Sequence, residues 1–388
     1  MSLRENKCLL LPGPVFIPHR VLRAMTKQMV NRRGPDFQNL LVDVTENLKE
    51  IFQTKGDVLL FPGSGTGGLE IAIVNALSPG DHILSLTAGM FSERFATIAE
   101  TTGMQVQKLQ FPLSEGVDPH KVTEVLRADK DRRIRAVLVT HNETATGVTN
   151  DIRTLGETVH EHGALFFVDA VSSLGAIELK ADEWHLDIVV SASQKALFSA
   201  PGITMVSVSE KAWKAIDKSV TPSYFFDLRR AQKIYEEKRL TPYTSPTTTL
   251  YGLQEALRII KEEGLENVLA RYQLITKALR AGIKAIRLEP FVRDEKASKT
   301  VTAIKVPAGI DSAAIRNAMS KKYHVYIAGG LGEIAKSTFR IGHLGYIGRG
   351  EILNGVSALE LALGEHGYDV HNGKGVAAVQ KVFAEPEK

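Results

Sequence analysis

Cysteine is almost absent from this chain of 388 residues, which contains only Cys8. A single cysteine cannot close an internal disulfide, so we expect a reducing compartment, the cytoplasm. The N-terminal residues lack the apolar core of a signal peptide, and the richest apolar stretch, 164–179, is interrupted by Asp169. The sequence therefore predicts neither secretion nor a membrane span.

An excess of charge of one sign is also missing. The 48 Lys and Arg residues nearly balance the 44 Asp and Glu residues, which leaves a formal net charge of +4. The sequence contains no long basic run and no basic–aromatic repeat, so a nucleic-acid partner is not expected. The composition is that of a globular protein, and the chain is long enough for two domains.

Short apolar segments alternate with amphipathic ones through the first two thirds of the chain. Unbroken apolar strands that alternate with helices are typical of a mostly parallel sheet with both faces covered. The predicted strands are 57–61, 82–86, 106–109, 136–139, 165–169, 188–190 and 203–208, and the predicted helices include 37–52, 91–101, 119–126 and 151–161.

The last third of the chain has a different pattern of predicted elements. The sequence is strongly helical from Thr248 to about Ile283 and then changes to shorter elements. We predict three parts: an extended N-terminal segment, 1–20, a large α/β domain, 21–263, and a smaller C-terminal α+β domain, 264–388. The short elements of the last part are strands 300–306, 325–327 and 338–341 and helices 312–320, 351–363 and 373–383.

One lysine stands out by its surroundings. Lys195 lies in a polar stretch between the apolar segments 188–190 and 203–208, which are both predicted to be buried strands. Lysine is rarely buried unless it is paired or chemically used. A desolvated lysine loses its proton more readily and becomes a nucleophile that can form an imine with an aldehyde. A loop-tip lysine with its amine in water is the alternative.

Two more motifs lie at the ends of predicted strands. Ser64-Gly65-Thr66-Gly67-Gly68 follows a strand and precedes a helix, an order that suits a bound phosphate, although a simple tight turn is the alternative. Asp169 ends an apolar strand, where a carboxylate needs a partner. Asp169 can cap the turn that follows, or it can keep a pyridinium nitrogen protonated.

An aromatic residue and a histidine complete the set. Phe91 opens the helix after the next strand and can stack on a ligand ring or fill the core, whereas His141 by itself fits a structural histidine better. All of these residues follow predicted strands, at the edge where open α/β sheets bind ligands. A phosphate loop, an aromatic ring, a strand-end aspartate and a strand-flanked lysine together predict a pyridoxal-phosphate pocket.

These motifs resemble those of the class V, fold-type I aminotransferases, in particular the alanine–glyoxylate and serine–pyruvate group, over nearly the whole chain. The resemblance rests on the stretches 11–14, 64–70, 141–147, 168–173, 193–197 and 340–342. It implies an α/β fold in which a large domain holds a mostly parallel, seven-stranded sheet covered by helices. It also implies a smaller α+β C-terminal domain.

The resemblance also implies roles for individual residues. Lys195 is then the catalytic Schiff-base lysine, Asp169 the partner of the ring nitrogen, and Arg340 the residue that grips the substrate carboxylate. The other implied cofactor contacts are Thr66, Gly67, Gly68 and Gln194 at the phosphate, Thr144 at the ring face or phenolic edge, Phe91 stacked on the ring, Val171 beneath it, and Thr244, which reaches the partner subunit's phosphate. A homodimer with shared active sites follows from the last of these contacts.

The implied activity is transfer of an amino group from a small L-amino acid, alanine or serine, to a 2-oxo acid, glyoxylate or pyruvate. Phe91 stands where several relatives carry tryptophan, and Gly68 where some carry histidine, so close substrate equivalence with those relatives is not implied. A relative that acts on a phosphonate or ureido amine is the alternative.

Two other classes are disfavoured. A cysteine desulfurase needs a nucleophilic cysteine on a mobile loop, whereas Cys8 lies in the N-terminal segment and Gln194 replaces the histidine that is typical of desulfurases. A non-catalytic subunit with the same fold is expected to lack some of Lys195, Asp169 and Arg340, and the chain has all three.

Overall fold

The computed structural model of the protein describes residues 7–370 and 372–385. In this part of the chain strands and helices alternate largely as the apolar pattern predicts. The strands are Cys8–Leu10 (β1), Asp57–Gly63 (β2), His82–Thr87 (β3), Gln105–Gln110 (β4), Ile134–Thr140 (β5), Asn142–Glu143 (β6), Val148–Thr149 (β7), Leu165–Asp169 (β8), Ile188–Ala192 (β9), Gly202–Val208 (β10), Val301–Lys305 (β11), Val325–Gly329 (β12) and Thr338–Gly342 (β13).

The helices cover both the central sheet and the C-terminal part. They are His19–Ala24 (α1), Pro35–Phe52 (α2), Gly65–Ala76 (α3), Met90–Thr101 (α4), Pro119–Ala128 (α5), Ile152–His162 (α6), Glu210–Ile216 (α7), Leu228–Lys238 (α8), Thr247–Glu263 (α9), Leu265–Ala285 (α10), Ser312–Lys322 (α11), Arg349–Glu365 (α12) and Lys374–Phe383 (α13). No helix in the described residues has the length and apolar character needed to cross a bilayer.

The helix boundaries follow from local chemistry. In α6, the Asp151 side chain accepts a hydrogen bond from the Thr154 amide at the start, and Gly163, at φ 88°, ends the helix in the left-handed conformation. The sequence predicted the glycine at the end of this helix but not the cap at its start. In α2, apolar residues such as Val44 and Leu48 recur at helical spacing and are fully buried.

The largest sheet has seven strands in the order β2-β10-β9-β8-β5-β3-β4. Strand β10 runs antiparallel to both of its neighbours, and the pairs β9–β8, β8–β5, β5–β3 and β3–β4 are parallel. Strands β5, β8 and β9 are almost entirely apolar and buried, as strands covered on both faces must be. The predicted fold class, a mostly parallel seven-stranded sheet covered by helices, is confirmed.

A second sheet of four strands has the order β1-β12-β13-β11. Strands β11, β12 and β13 pair antiparallel, and β1 pairs parallel to β12 with Cys8 opposite Val325. The N-terminal segment, predicted to be merely extended, therefore adds a strand to the C-terminal sheet. The boundaries predicted at residues 20 and 263 stay predictions.

Three local features differ from the sequence-based expectation. The helical stretch predicted from Thr248 to about Ile283 is two helices, because Gly264, at φ 86°, breaks it. The glycine run after β2 is not a loop but the first turn of α3, which starts at Gly65. Helices α1, α7 and α8 and the hairpin of β6 and β7 were not predicted.

The topology brings the ends of β5, β8 and β9 to one edge of the sheet. The His141 amide, just past β5, donates to the Asp169 carbonyl at 2.9 Å, and the Ala170 amide, just past β8, donates to the Val190 carbonyl at 2.8 Å. The polar stretches that follow these three neighbouring strands therefore lie side by side. This edge is where an open α/β sheet binds ligands.

Candidate active site

Lys195 lies in the turn between β9 and β10, with a largely covered side chain. Its Nζ donates to the Pro12 carbonyl at 2.6 Å, and a Cβ built on Gly13 would lie 2.7 Å from the same nitrogen. Burial, with smaller contributions from Arg340 and Arg94, lowers the pKa of Lys195 to about 8, although Asp169 opposes the shift. The covered amine therefore loses its proton far more readily than an ordinary lysine.

Asp169 ends β8 and is 6% exposed. Its Oδ1 accepts from the Val171 amide at 2.9 Å, so the carboxylate does cap the turn that follows. Within the described chain Oδ2 accepts no hydrogen bond and stays available. Burial raises the pKa of Asp169 to about 6, with Glu143 adding to the shift and the Val171 amide and Lys195 opposing it. A cation that bonds to Oδ2 would hold this carboxylate in its ionised form.

The N-terminus of α3 lies at the carboxyl end of β2. By their position in the first turn, the Gly65 and Thr66 amides have no acceptor inside the helix. The Gly67 amide makes a long bond of 3.5 Å to the Ser64 hydroxyl that caps the helix. Free amides at the positive end of a helix are suited to a phosphate.

Gly68 packs closely against the central sheet. Its amide donates to the Ser64 carbonyl at 3.1 Å, inside the helix. A Cβ built on it would lie 2.3 Å from Thr204 Oγ1 and 2.5 Å from Val190 Cγ1, both on the central sheet. The structure therefore gives Gly68 a packing role, while its predicted phosphate contact stays a prediction, and Gly65 joins Thr66 as a candidate donor.

Phe91 is the second residue of α4 and is half-buried. The guanidinium of Arg94, one turn further on, lies 4.8 Å from the centre of the Phe91 ring, and its Nη1 lies 3.4 Å from Thr66 Oγ1. Helices α3 and α4 thus present their first turns to each other. The sequence analysis missed Arg94, although its spacing of three residues from Phe91 places both on one helix face.

Glu143 is a second residue that sequence reasoning missed. Its fully buried carboxylate accepts from the amides of Phe91, Ser92 and Ala145 at 3.1 Å. Burial raises the pKa of Glu143, and these same amide bonds oppose the shift. The carboxylate caps α4 and holds Phe91 in place. A carboxylate in the polar run after a buried strand was the available signal.

Arg340 lies on β13 and is 6% exposed. Its Nε donates to the Gly329 carbonyl at 2.8 Å and its Nη1 to the Thr144 carbonyl at 2.9 Å. No described residue accepts from Nη2, which leaves one edge of the guanidinium for a ligand. Burial lowers the pKa of Arg340 to about 10, with Glu143 opposing, so the side chain stays charged at neutral pH.

Thr144 lies in the turn between β6 and β7, close to both Ser172 and Arg340. Thr144 is 5% exposed, and its hydroxyl donates to the Ser172 hydroxyl at 2.9 Å while its carbonyl bonds to Arg340. The Ser172 hydroxyl in turn donates to the Asn142 carbonyl at 3.0 Å. The hydroxyl oxygen of Thr144 keeps a lone pair for a ligand.

Three predicted residues remain. Val171 packs against α3, because a Cβ on Gly65 would lie 2.4 Å from a Val171 methyl group. Gln194, next to Lys195, buries its Oε1 with no hydrogen-bond partner among the described residues. Thr244 is exposed, in the segment between α8 and α9, and no hydrogen bond joins it to the other predicted residues. The fold of one chain therefore brings all of the predicted site residues together except Thr244.

His141 takes the structural role that the sequence favoured. It is 2% exposed, and burial lowers the pKa of its ring to about 3. A neutral, buried ring does not exchange protons near neutral pH. The ring lies in the interior, and its Nδ1 has no hydrogen-bond partner among the described residues.

The set of donors fits pyridoxal phosphate. The free amides of α3 and the nearby Arg94 suit a phosphate, the open Oδ2 of Asp169 suits a protonated ring nitrogen, and the amine of Lys195 suits an aldehyde. The unpartnered Oε1 of Gln194 is a polar atom that a ligand can satisfy.

Comparison with known proteins gives a consistent result. A family model described as "Aminotransferase class-V" matches residues 12–338. The chain is 39% identical to the L-aspartate–glyoxylate aminotransferase of Paracoccus denitrificans, with 97% of this chain and 96% of that protein covered. It is also 39% identical to the serine–glyoxylate aminotransferase of Methylorubrum extorquens, with the same coverage.

A solved structure agrees over the whole length. The crystal structure of ureidoglycine–glyoxylate aminotransferase from Bacillus subtilis superposes with a TM-score of 0.94 at 31% identity, covering 98% of this chain and 99% of that one. Sequence, fold and site geometry lead to the same conclusion. The chain belongs to the class V aminotransferases, enzymes that depend on pyridoxal 5′-phosphate.

Proposed function

We propose that this enzyme transfers the amino group of a small L-amino acid, alanine or serine, to a 2-oxo acid, glyoxylate or pyruvate. The observation that carries the proposal is that Lys195, in the turn after β9, lies close enough to Asp169, at the end of β8, and to Arg340, on β13 of the second sheet, for both charges to act on its pKa. Two similar proteins are glyoxylate aminotransferases by name, which supports glyoxylate as the acceptor.

Lys195 is the proposed acid–base group. Bound pyridoxal phosphate supplies the electron sink that makes the substrate α-proton acidic. With the cofactor bound, the free Lys195 amine would take the proton from the substrate α-carbon and later return one. With a pKa of about 8, the amine is partly deprotonated at neutral pH and can act in both directions.

Asp169 and Arg340 have supporting roles in this proposal. The open Oδ2 of Asp169 accepts the hydrogen bond of the protonated ring nitrogen and keeps it protonated. The free edge of Arg340 binds the α-carboxylate that every amino acid and 2-oxo acid carries. One arginine can thus position both the donor and the acceptor, as an enzyme that works in two half-reactions requires.

The proposal includes a homodimer with shared sites. Beside the N-terminus of α3 lies an aromatic group in which Phe225 stacks on Tyr243 at 5.0 Å and Tyr224 is 72% exposed. Phe226 of the same group lies 3.8 Å from the position of a Cβ on Gly67. Exposed aromatic patches of this kind mark interaction surfaces. A second copy that covers it would bring its Thr244 near this site, and sedimentation equilibrium measures whether the dimer forms.

A related second candidate is transfer from a ureido amine. The observation that favours it is the similarity to the ureidoglycine–glyoxylate enzyme, which covers nearly the whole of both chains. A desulfurase reaction has less support, because Cys8 is buried in β1 and does not lie on a mobile loop.

The experiment that tests the proposal follows the visible absorption of the purified holoenzyme. Addition of L-alanine or L-serine should remove the band of the lysine-bound cofactor, and glyoxylate or pyruvate should restore it. The Lys195→Ala variant, which keeps the fold, should show no such cycle and no turnover.

The outcomes separate the candidates. A band that responds to a ureido amine but to neither L-alanine nor L-serine would favour the second candidate. A band that no amine changes would refute transamination. Full turnover by the Lys195→Ala variant would refute the assigned role of Lys195 alone.

A further inference from the structure

The positive charge of Arg94 has no ion-pair partner in the described part of the chain. It hydrogen-bonds to Thr66 and lies against the Phe91 ring, and its charge also acts on Asp169, whose pKa it helps to lower. Its side chain is half-buried, so water screens the charge only in part. A charged group in such a place normally has a partner of opposite charge. Among the described residues no carboxylate forms a direct ion pair with the Arg94 guanidinium, which leaves it able to bind an anionic ligand.

The position of Arg94 favours an anion as its binding partner. Its Nη1 lies 3.4 Å from the hydroxyl of Thr66, in the first turn of α3, where the helix dipole is positive. A guanidinium at the positive end of a helix is repelled by it. An anion placed between them is attracted by both, and it can also accept from the free Gly65 and Thr66 amides.

Two contacts hold the guanidinium in this place. Its central carbon lies 4.8 Å from the centre of the Phe91 ring, a cation–π contact that favours this position of the group. The helix that carries both residues is fastened at its N-terminus by the buried Glu143, through the Phe91 and Ser92 amides. The guanidinium is thus oriented before any ligand binds, which reduces the entropy that binding costs.

We infer that Arg94 binds the phosphate group of pyridoxal phosphate, together with the amides of Gly65 and Thr66. This inference rests on the proposed function. A planar guanidinium offers a phosphate two parallel hydrogen bonds, and the Arg94 charge balances part of the phosphate charge. Arg94 could instead bind the distal carboxylate of a dicarboxylic substrate. The experiment below distinguishes this carboxylate from the cofactor phosphate.

The test compares two cofactor forms on the full-length apoprotein. Affinity is measured by absorption titration with pyridoxal phosphate and with pyridoxal, which lacks the phosphate. The Arg94→Gln variant should bind pyridoxal phosphate about ten- to a hundredfold more weakly, the usual loss for a charged hydrogen bond, and should bind pyridoxal unchanged. Arg94→Lys, which keeps the charge but not the planar fork, should fall in between.

A matched control is Arg153→Gln on α6, whose exposed side chain pairs with Glu157; it should leave both affinities unchanged. Inorganic phosphate should compete with pyridoxal phosphate in the wild type and less well in Arg94→Gln.

Each contrary outcome has a distinct meaning. Equal affinity of wild type and Arg94→Gln for pyridoxal phosphate overturns the inference. An equal loss for both cofactor forms also overturns it, because Arg94 then acts by supporting Phe91. Unchanged cofactor affinity with loss of L-aspartate turnover assigns Arg94 to a substrate carboxylate instead. A wild-type apoprotein that binds neither cofactor form refutes the proposed function itself.

Discussion

Replacing Gly68 with alanine tests how closely α3 packs on the central sheet. The new Cβ would lie 2.3 Å from Thr204 Oγ1 and 2.5 Å from Val190 Cγ1, and both side chains are buried in strands. Added volume in a packed core costs about 1–3 kcal/mol. A shift of Thr204 also weakens its 3.0 Å bond to the Ser191 carbonyl, at about 1 kcal/mol.

A gain in helix propensity offsets part of this cost. Alanine is favoured over glycine by about 1 kcal/mol within a helix, so the net destabilisation should be about 1–3 kcal/mol. The neighbouring Gly67 provides the matched control, because a Cβ there would meet only Phe226 Cζ, at 3.8 Å. Gly67→Ala should therefore leave the stability unchanged or raise it slightly.

The assay is thermal unfolding of the apoproteins, followed by calorimetry, so that cofactor binding does not contribute. Gly68→Ala should unfold several degrees below the wild type, and Gly67→Ala should not. Equal transition temperatures for the two variants would refute the packing described for Gly68.

Two further predictions concern the buried carboxylates. Burial raises the pKa of Asp169 from 3.8 to about 6. Between these pH values the folded apoprotein keeps a proton that the unfolded chain releases. The free energy of unfolding therefore falls as the pH rises from 3.8 to about 6, by at most about 3 kcal/mol. Thermal unfolding of Asp169→Asn should lack this decline, and identical pH profiles would contradict it. Glu143→Gln should destabilise the apoprotein by about 1–3 kcal/mol, because the amide replaces charged hydrogen bonds to the start of α4. The exposed Glu157→Gln change is its control, and equal unfolding temperatures for these two variants would argue against the capping role of Glu143.

The sequence predicted the order of the elements well, because apolar runs and helical spacing are local properties. The prediction failed where one residue ends a helix, because Gly264, at φ 86°, splits one predicted helix into two. It also left the role of Asp169 open between a cap and a cofactor contact. The structure shows one oxygen capping Val171 and the other left open, so the two interpretations are compatible.

The sequence patterns did not identify Glu143 and Arg94, because the partners of these residues lie far away along the chain. Glu143 bonds to amides 51 and 52 positions away, and Arg94 meets Thr66 across 28 positions. The local signals, a polar run around Glu143 and the spacing of Arg94 from Phe91, do not show which distant groups these side chains meet. The cytoplasmic location and the domain boundaries stay predictions.

What the sequence by itself determined is the class of the protein. Lys195 between two apolar strands, Asp169 at the end of a third and the glycine run after a fourth already indicated a pyridoxal-phosphate site. Only the tertiary structure decided how the site is built. It placed Gly13 over Lys195, assigned Gly68 to packing and oriented Arg94 toward α3. The physical reason is that a motif is a property of neighbours along the chain, whereas burial, charge balance and free hydrogen-bonding groups depend on what the fold brings into contact.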